Sequence, residues 1–159
     1  MSQAIVSLIP LITFVLFGIT AVLVDIREHR LPNILTIRLT VVLLGVLAIT
    51  SLRSGAWSGW LPMVTCTSYI CGTFLLLFAV SKNGLGFGDV KFALPCGLMV
   101  GWYAPSQWLW CLWISFGLAA MTAVAMWVMG KASRTSAIAF GPFMYFSAIL
   151  VAMKAVMSG

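Results

Sequence analysis

Six apolar runs, most of them about twenty residues long and separated by short polar loops, constrain this chain more than any other feature. They fall at Ile5–Val24, Ile34–Leu52, Trp60–Val80, Val90–Trp102, Gln107–Met129 and Ala137–Met157. An α-helix of that length crosses a hydrocarbon core of ~30 Å, and lipid offers no partner for backbone N–H and C=O groups that a helix does not already satisfy. The expected fold is therefore all-α, a polytopic membrane bundle of about six transmembrane helices in a single domain over residues 1–159. The fourth run is short. A tilted or partly re-entrant helix is expected there, with its end lining a protein cavity rather than lipid.

Composition excludes the soluble classes. Charged residues are 8% of the chain, against roughly 25% in soluble domains, and apolar ones are 62%. The first run has no basic region before it and is long enough to span, which argues against a cleaved signal peptide. The net charge of +6 suits an anionic lipid surface, while the scatter of the basic residues gives no stripe for nucleic acid. Cys66, Cys71, Cys96 and Cys111 form no CxxC pair, and the single histidine is His29. That spacing makes no case for a metal or a structural disulfide, so buried, inert thiols are expected.

Orientation follows from the basic residues. Arg27, Arg30, Lys82, Lys131 and Arg134 follow the first, third and fifth runs, with Arg38 and Lys91 just inside neighbouring helices. Trp57, Trp60, Trp102, Tyr103 and Trp108 gather at the opposite ends. The positive-inside tendency and an outer aromatic belt together put those basic loops in the cytoplasm and both termini outside.

The chain has only three acidic residues, and two of them stand at the rims of apolar runs. Asp25 closes the first; Asp89 follows the glycine-spaced Asn83-Gly84-Leu85-Gly86-Phe87-Gly88. A carboxylate there is costly unless it is paired, solvated or used. Two of them brought together from separate helices make an acid–base pair able to activate water. The plainer readings are an Asp25 that neutralises Arg27 or Arg30, an exposed loop histidine at 29, and an Asp89 that caps a helix. In the first loop Pro32 stops a helix and Asn33 is a good N-cap for the next. Glycines 86 and 88 allow unusual backbone turns and close approach of another chain. The loop lacks the Lys-Ser/Thr ending of a phosphate loop. A third element, Ala139-Phe140-Gly141-Pro142-Phe143, reads in isolation as a helix kink.

Taken in order, Asp25…Leu31-Pro32-Asn33, Gly86-Phe87-Gly88-Asp89-Val90-Lys91 and Ala139-Phe140-Gly141-Pro142 resemble the type IV prepilin peptidase family of Gly-x-Gly-Asp aspartic membrane proteases. The family pattern has isoleucine where Leu31 stands and proline where Ala139 stands. The resemblance implies Asp25 and Asp89 as catalytic residues. Around them it implies a cleft shaped by Pro32, Asn33, Gly86, Gly88, Lys91, Phe140, Gly141 and Pro142. Lys91 either stabilises the charged aspartate or snorkels to the interface, and the second is favoured.

The implied activity is removal of the leader of prepilin or pseudopilin substrates, whose short basic leader precedes an apolar helix, at the cytoplasmic face of a bacterial inner membrane. No metal or other cofactor and no nucleic acid partner is implied. With the first run starting by Ile5 and no CxxC, a methyltransferase half is not expected, which resembles the short form of tight-adherence pilus systems. Two other readings stand beside it. A structural subunit of a pilus or secretion complex would use the aspartates only to pair loop arginines. An ion-coupled transporter would want acids nearer the midplane between repeats.

Overall fold

The structure, a computed structural model, describes residues 3–28, 33–81, 85–130 and 139–158, and the side chains of 8–27 in the first of these segments. These residues form six helices: α1 (Gln3–Glu28), α2 (Asn33–Ser54), α3 (Trp60–Val80), α4 (Phe87–Tyr103), α5 (Trp108–Val128) and α6 (Gly141–Ser158). Single 3-10 turns at Trp57–Gly59 and Pro105–Gln107 lead into α3 and α5. Among the described residues there is no strand. Five segments are long and apolar enough to cross a membrane: Leu8–Arg27, Asn33–Ser54, Trp57–Val80, Pro105–Val128 and Gly141–Ser158. The chain is a multi-pass, all-α membrane protein.

The fourth run differs from its expectation. It is one continuous helix that starts at Phe87, three residues ahead of the apolar run, so Asp89 lies inside its first turn. At 1.5 Å per residue its 17 residues reach about 25 Å. Shortness here reflects position rather than re-entry, because α4 is the hub of the bundle. It buries Phe92, Ala93 and every residue from Pro95 to Gly101, and it packs on α3, α6 and α2, with lesser contact to α1 and α5. A helix surrounded by protein does not need to match the lipid thickness on its own.

Small residues let α3 and α4 approach closely, as is usual where lipid gives no hydrophobic drive for helices to associate. A Cβ at Gly101 would sit 2.7 Å from the carbonyl oxygen of Met63, and one at Gly97 would sit 3.0 Å from Thr67 Cα. Pairing 101 with 63 and 97 with 67 makes the two helices antiparallel. On the other side of the hub, Tyr145 of α6 donates from its hydroxyl to the Val15 carbonyl of α1, at 2.7 Å. Helix α5 is peripheral. It buries only Cys111, Leu112 and Ser115, and it exposes Trp110, Trp113 and Trp127 to lipid.

Two further boundaries differ from the sequence reading. Helix α6 begins at Gly141 with Pro142 in its first turn, where a missing N–H costs nothing, so the Gly-Pro pair starts a helix instead of kinking one. Asn33 is the first residue of α2 rather than its cap.

Candidate active site

The ends of α1 and α3 and the starts of α2, α4 and α6 share one end of the bundle, and both rim aspartates are there. Asp25 is in the last full turn of α1 and is 4% exposed. Its own helix presents it with the negative end of a dipole, an unfavourable place for a carboxylate. The start of α6 corrects this. The backbone N–H of Gly141 donates to Asp25 Oδ2 at 3.1 Å, so the positive end of a second helix faces the acid.

Asp89 occupies the first turn of α4, the favourable end of its own helix. Its backbone N–H bonds the Gly86 carbonyl at 3.1 Å, and Gly86, not Asp89, is the N-cap. Burial pushes the Asp89 carboxyl up to about 7, and the negative charge of Asp25 pushes in the same direction. A backbone hydrogen bond at Gly86 works the other way. The second cause shows that the two carboxyls lie within electrostatic reach of each other. Asp25 is buried and Asp89 partly buried, and a negative charge on the one disfavours a negative charge on the other.

The glycines act differently from the expectation. Gly86 has φ −72° and ψ 140°, ordinary extended backbone, and Gly88 is helical. Among the described residues only Gly55 and Gly130 have positive φ. What Gly86 provides is room, since a Cβ there would lie 3.3 Å from Asp89 Oδ2.

Lys91 does not snorkel freely. Its Nζ donates to Asn33 Oδ1 at 2.7 Å and lies 4.5 Å from the centroid of the Phe87 ring. The Lys91–Asn33 bond ties the start of α4 to the start of α2 and makes those helices parallel. Phe140 is an anchor for α6. Its ring lies 5.6 Å from Phe74 of α3, 5.0 Å from Phe116 of α5 and 6.2 Å from Phe143. Gly141, the next residue, is thereby held where its N–H meets Asp25.

Asp25, Asp89, Gly86, Gly88, Asn33, Lys91, Phe140, Gly141 and Pro142 thus sit at one end of the bundle, while Pro32 and His29 lie outside the described residues. Sequence reasoning passed over Phe74 and Phe116, because an aromatic residue in an apolar run looks the same whether it fills the core or braces a site. It also gave no sign that a backbone N–H would be the partner of Asp25. The four cysteines are free, and Cys66, Cys96 and Cys111 are buried while Cys71 is half-buried.

The model of the type IV leader peptidase family matches residues 12–129. The chain belongs to that family, and is a peptidase-family membrane protein. The match spans both Asp25 and Asp89 and stops before Gly141. No curated protein and no solved structure matches the chain.

Proposed function

We propose that this protein is a membrane aspartic endopeptidase that removes the leader of prepilin-like substrates, with Asp25 and Asp89 as a catalytic dyad. The observation that carries the reading is the pair itself. A buried Asp25 and a partly buried Asp89, from separate helices, lie within reach of each other's charge, and each is near the N-terminus of a helix.

The pair shares one proton. The ionised member takes a proton from water as the water oxygen attacks the scissile carbonyl carbon, and the protonated member donates to the carbonyl oxygen. Collapse of the tetrahedral gem-diol expels the amine, which receives the proton held by the first acid, while a hydroxyl of the diol returns its proton to the second acid and restores the shared-proton state. The two titrations belong to the dyad rather than to either residue. Gly141 N–H helps to keep Asp25 in place while its charge changes. Room beside Asp89, left by Gly86 and Gly88, accommodates the extended substrate backbone.

The substrate class comes from the family, and the depth of the aspartates fits it. The positive-inside tendency of the basic loops supports a cytoplasmic position for the aspartate end. A short basic leader followed by an apolar helix presents its junction at that same membrane face. A bacterial inner membrane with both termini outward is the matching location. Co-expression with a candidate prepilin tests the proposal: leader removal produces a smaller product, and a purely structural subunit leaves the size unchanged.

A further inference from the structure

One buried hydroxyl in this bundle lacks a partner. Thr36 is 3% exposed, and its Oγ1 is the one buried side-chain nitrogen or oxygen among the described residues without a hydrogen bond. Other threonines in the helices behave differently. Thr13, Thr40, Thr50 and Thr67 each donate to the carbonyl one turn back, at 2.7 to 2.9 Å. That back-bond is the ordinary solution for a hydroxyl in a membrane helix. A buried hydroxyl without one is costly, and is retained where a bound group supplies the missing partner.

Its position points to which group. Thr36 is three residues into α2, Asp25 three residues from the end of α1, and Asp89 two residues into α4. At about 1.5 Å per residue all three lie within a layer roughly 3–5 Å below the same end. Thr36 shares the buried face of α2 with Leu39, Thr40, Leu43 and Leu47. The helices α2 packs against are α1 and α4, which carry the two aspartates, and the Lys91–Asn33 bond fixes α2 to α4 one turn away. The hydroxyl is therefore on the face of α2 that packs on those two helices, at the level of the two acids.

We propose that Thr36 Oγ1 positions the attacking water at the Asp25/Asp89 pair. This rests on the dyad reading above. A buried water needs two to four polar partners, and the two carboxyls with Thr36 provide three. The water donates one hydrogen to the ionised carboxylate, which removes it during attack. It donates the other to Thr36 Oγ1, which leaves an oxygen lone pair directed at the scissile carbon. Threonine is unchanged by the cycle.

The test uses the full chain in proteoliposomes with a cleavable prepilin, and compares Thr36→Val, Thr36→Ser and Asp25→Asn. Valine has threonine's shape without the hydroxyl. The expected result for Thr36→Val is a kcat lower by about ten- to a hundredfold, a KM within about twofold of wild type, and a Tm unchanged or raised. Thr36→Ser restores the hydroxyl and is expected to keep at least about half of kcat. Wild-type kcat in Thr36→Val overturns the inference, as does equal damage in Thr36→Ser or a loss confined to KM. A lower Tm in Thr36→Val also overturns it, since it shows that the hydroxyl has a structural partner. Asp25→Asn separates the two claims. If it retains activity, the dyad reading fails; if it is inactive while Thr36→Val is normal, only the water-positioning role fails.

Discussion

At one end of the bundle, polar groups converge from helices distant in sequence: Asp25 on Gly141, Lys91 on Asn33, and Asp89 within reach of Asp25. At the other end, contacts are mostly aromatic. Trp57 stacks on Trp60 at 6.2 Å, Trp60 donates from its indole to Ser51 Oγ at 2.8 Å, and Tyr69 lies 5.1 Å from Trp108. The tryptophan end spends its contacts on closing helix hairpins and anchoring them at an interface. At the aspartate end burial and the charge of Asp25 both disfavour an ionised Asp89, an arrangement that costs stability. Substitutions at the two ends should therefore fail in different ways: at one, activity goes and the fold stays; at the other, the reverse.

The largest expected effect breaks the pair. Asp25→Asn and Asp89→Asn each lower leader cleavage by on the order of 10³-fold or more, and the double variant is scarcely worse, because the two act as one unit. Gel-shift measurement of cleavage by purified, folded variants checks this. Additive losses in the double variant would dissolve the pair into two independent residues. Next comes the opposite failure, remote from the acids. Gly101→Val drives a side chain against the Met63 carbonyl and is expected to cost about 3 kcal/mol, seen as a lower Tm in detergent. The fraction that stays folded should cleave normally.

Gly88→Val, beside Asp89, is expected to reduce cleavage about tenfold or more while the protein remains in the membrane, since a branched residue fills space next to the carboxyl. Turnover at the wild-type rate would make that glycine a mere connector.

A smaller effect is read by pH. Burial, and secondarily the charge of Asp25, push the Asp89 carboxyl up to about 7, above its ordinary value. The sign follows: the folded pKa exceeds the unfolded one, so this group favours folding at low pH, and that contribution is lost as pH rises through about 7. Loss of the shared proton over the same window should lower kcat/KM above about pH 7, up to tenfold per unit. A flat profile from pH 6 to 9 would separate Asp89 from the chemistry. The smallest effect is expected at Glu28, the third acid, whose change to Gln should leave cleavage within about twofold of wild type.

How much of this was legible depended on whether the signal was local. Apolar run length gave the helices, since spanning lipid is a requirement each segment meets alone. Asp25 and Asp89 stood out because a membrane chain avoids acids. The hub position of α4 did not show, because burial by neighbouring helices and burial in lipid select the same apolar residues. Gly101 and Gly97 could have signalled the close seam by their spacing of four, but Gly55 and Gly59 have the same spacing and nothing within 4 Å. Lys91 and Asn33, 58 residues apart, carried no cue to their bond. The Gly141 amide carried even less, since every residue but proline has one.

The bond between Gly141 and Asp25 spans 116 residues, and this has a consequence in time. A ribosome adding about 5–20 residues per second completes α1 on the order of ten seconds before it reaches the start of α6. Through that interval Asp25 is already at the membrane without the amide that receives it. The nascent protein therefore carries an unfinished acid until its sixth helix inserts. Formation of this contact is in this sense timed by translation, since it waits for α6.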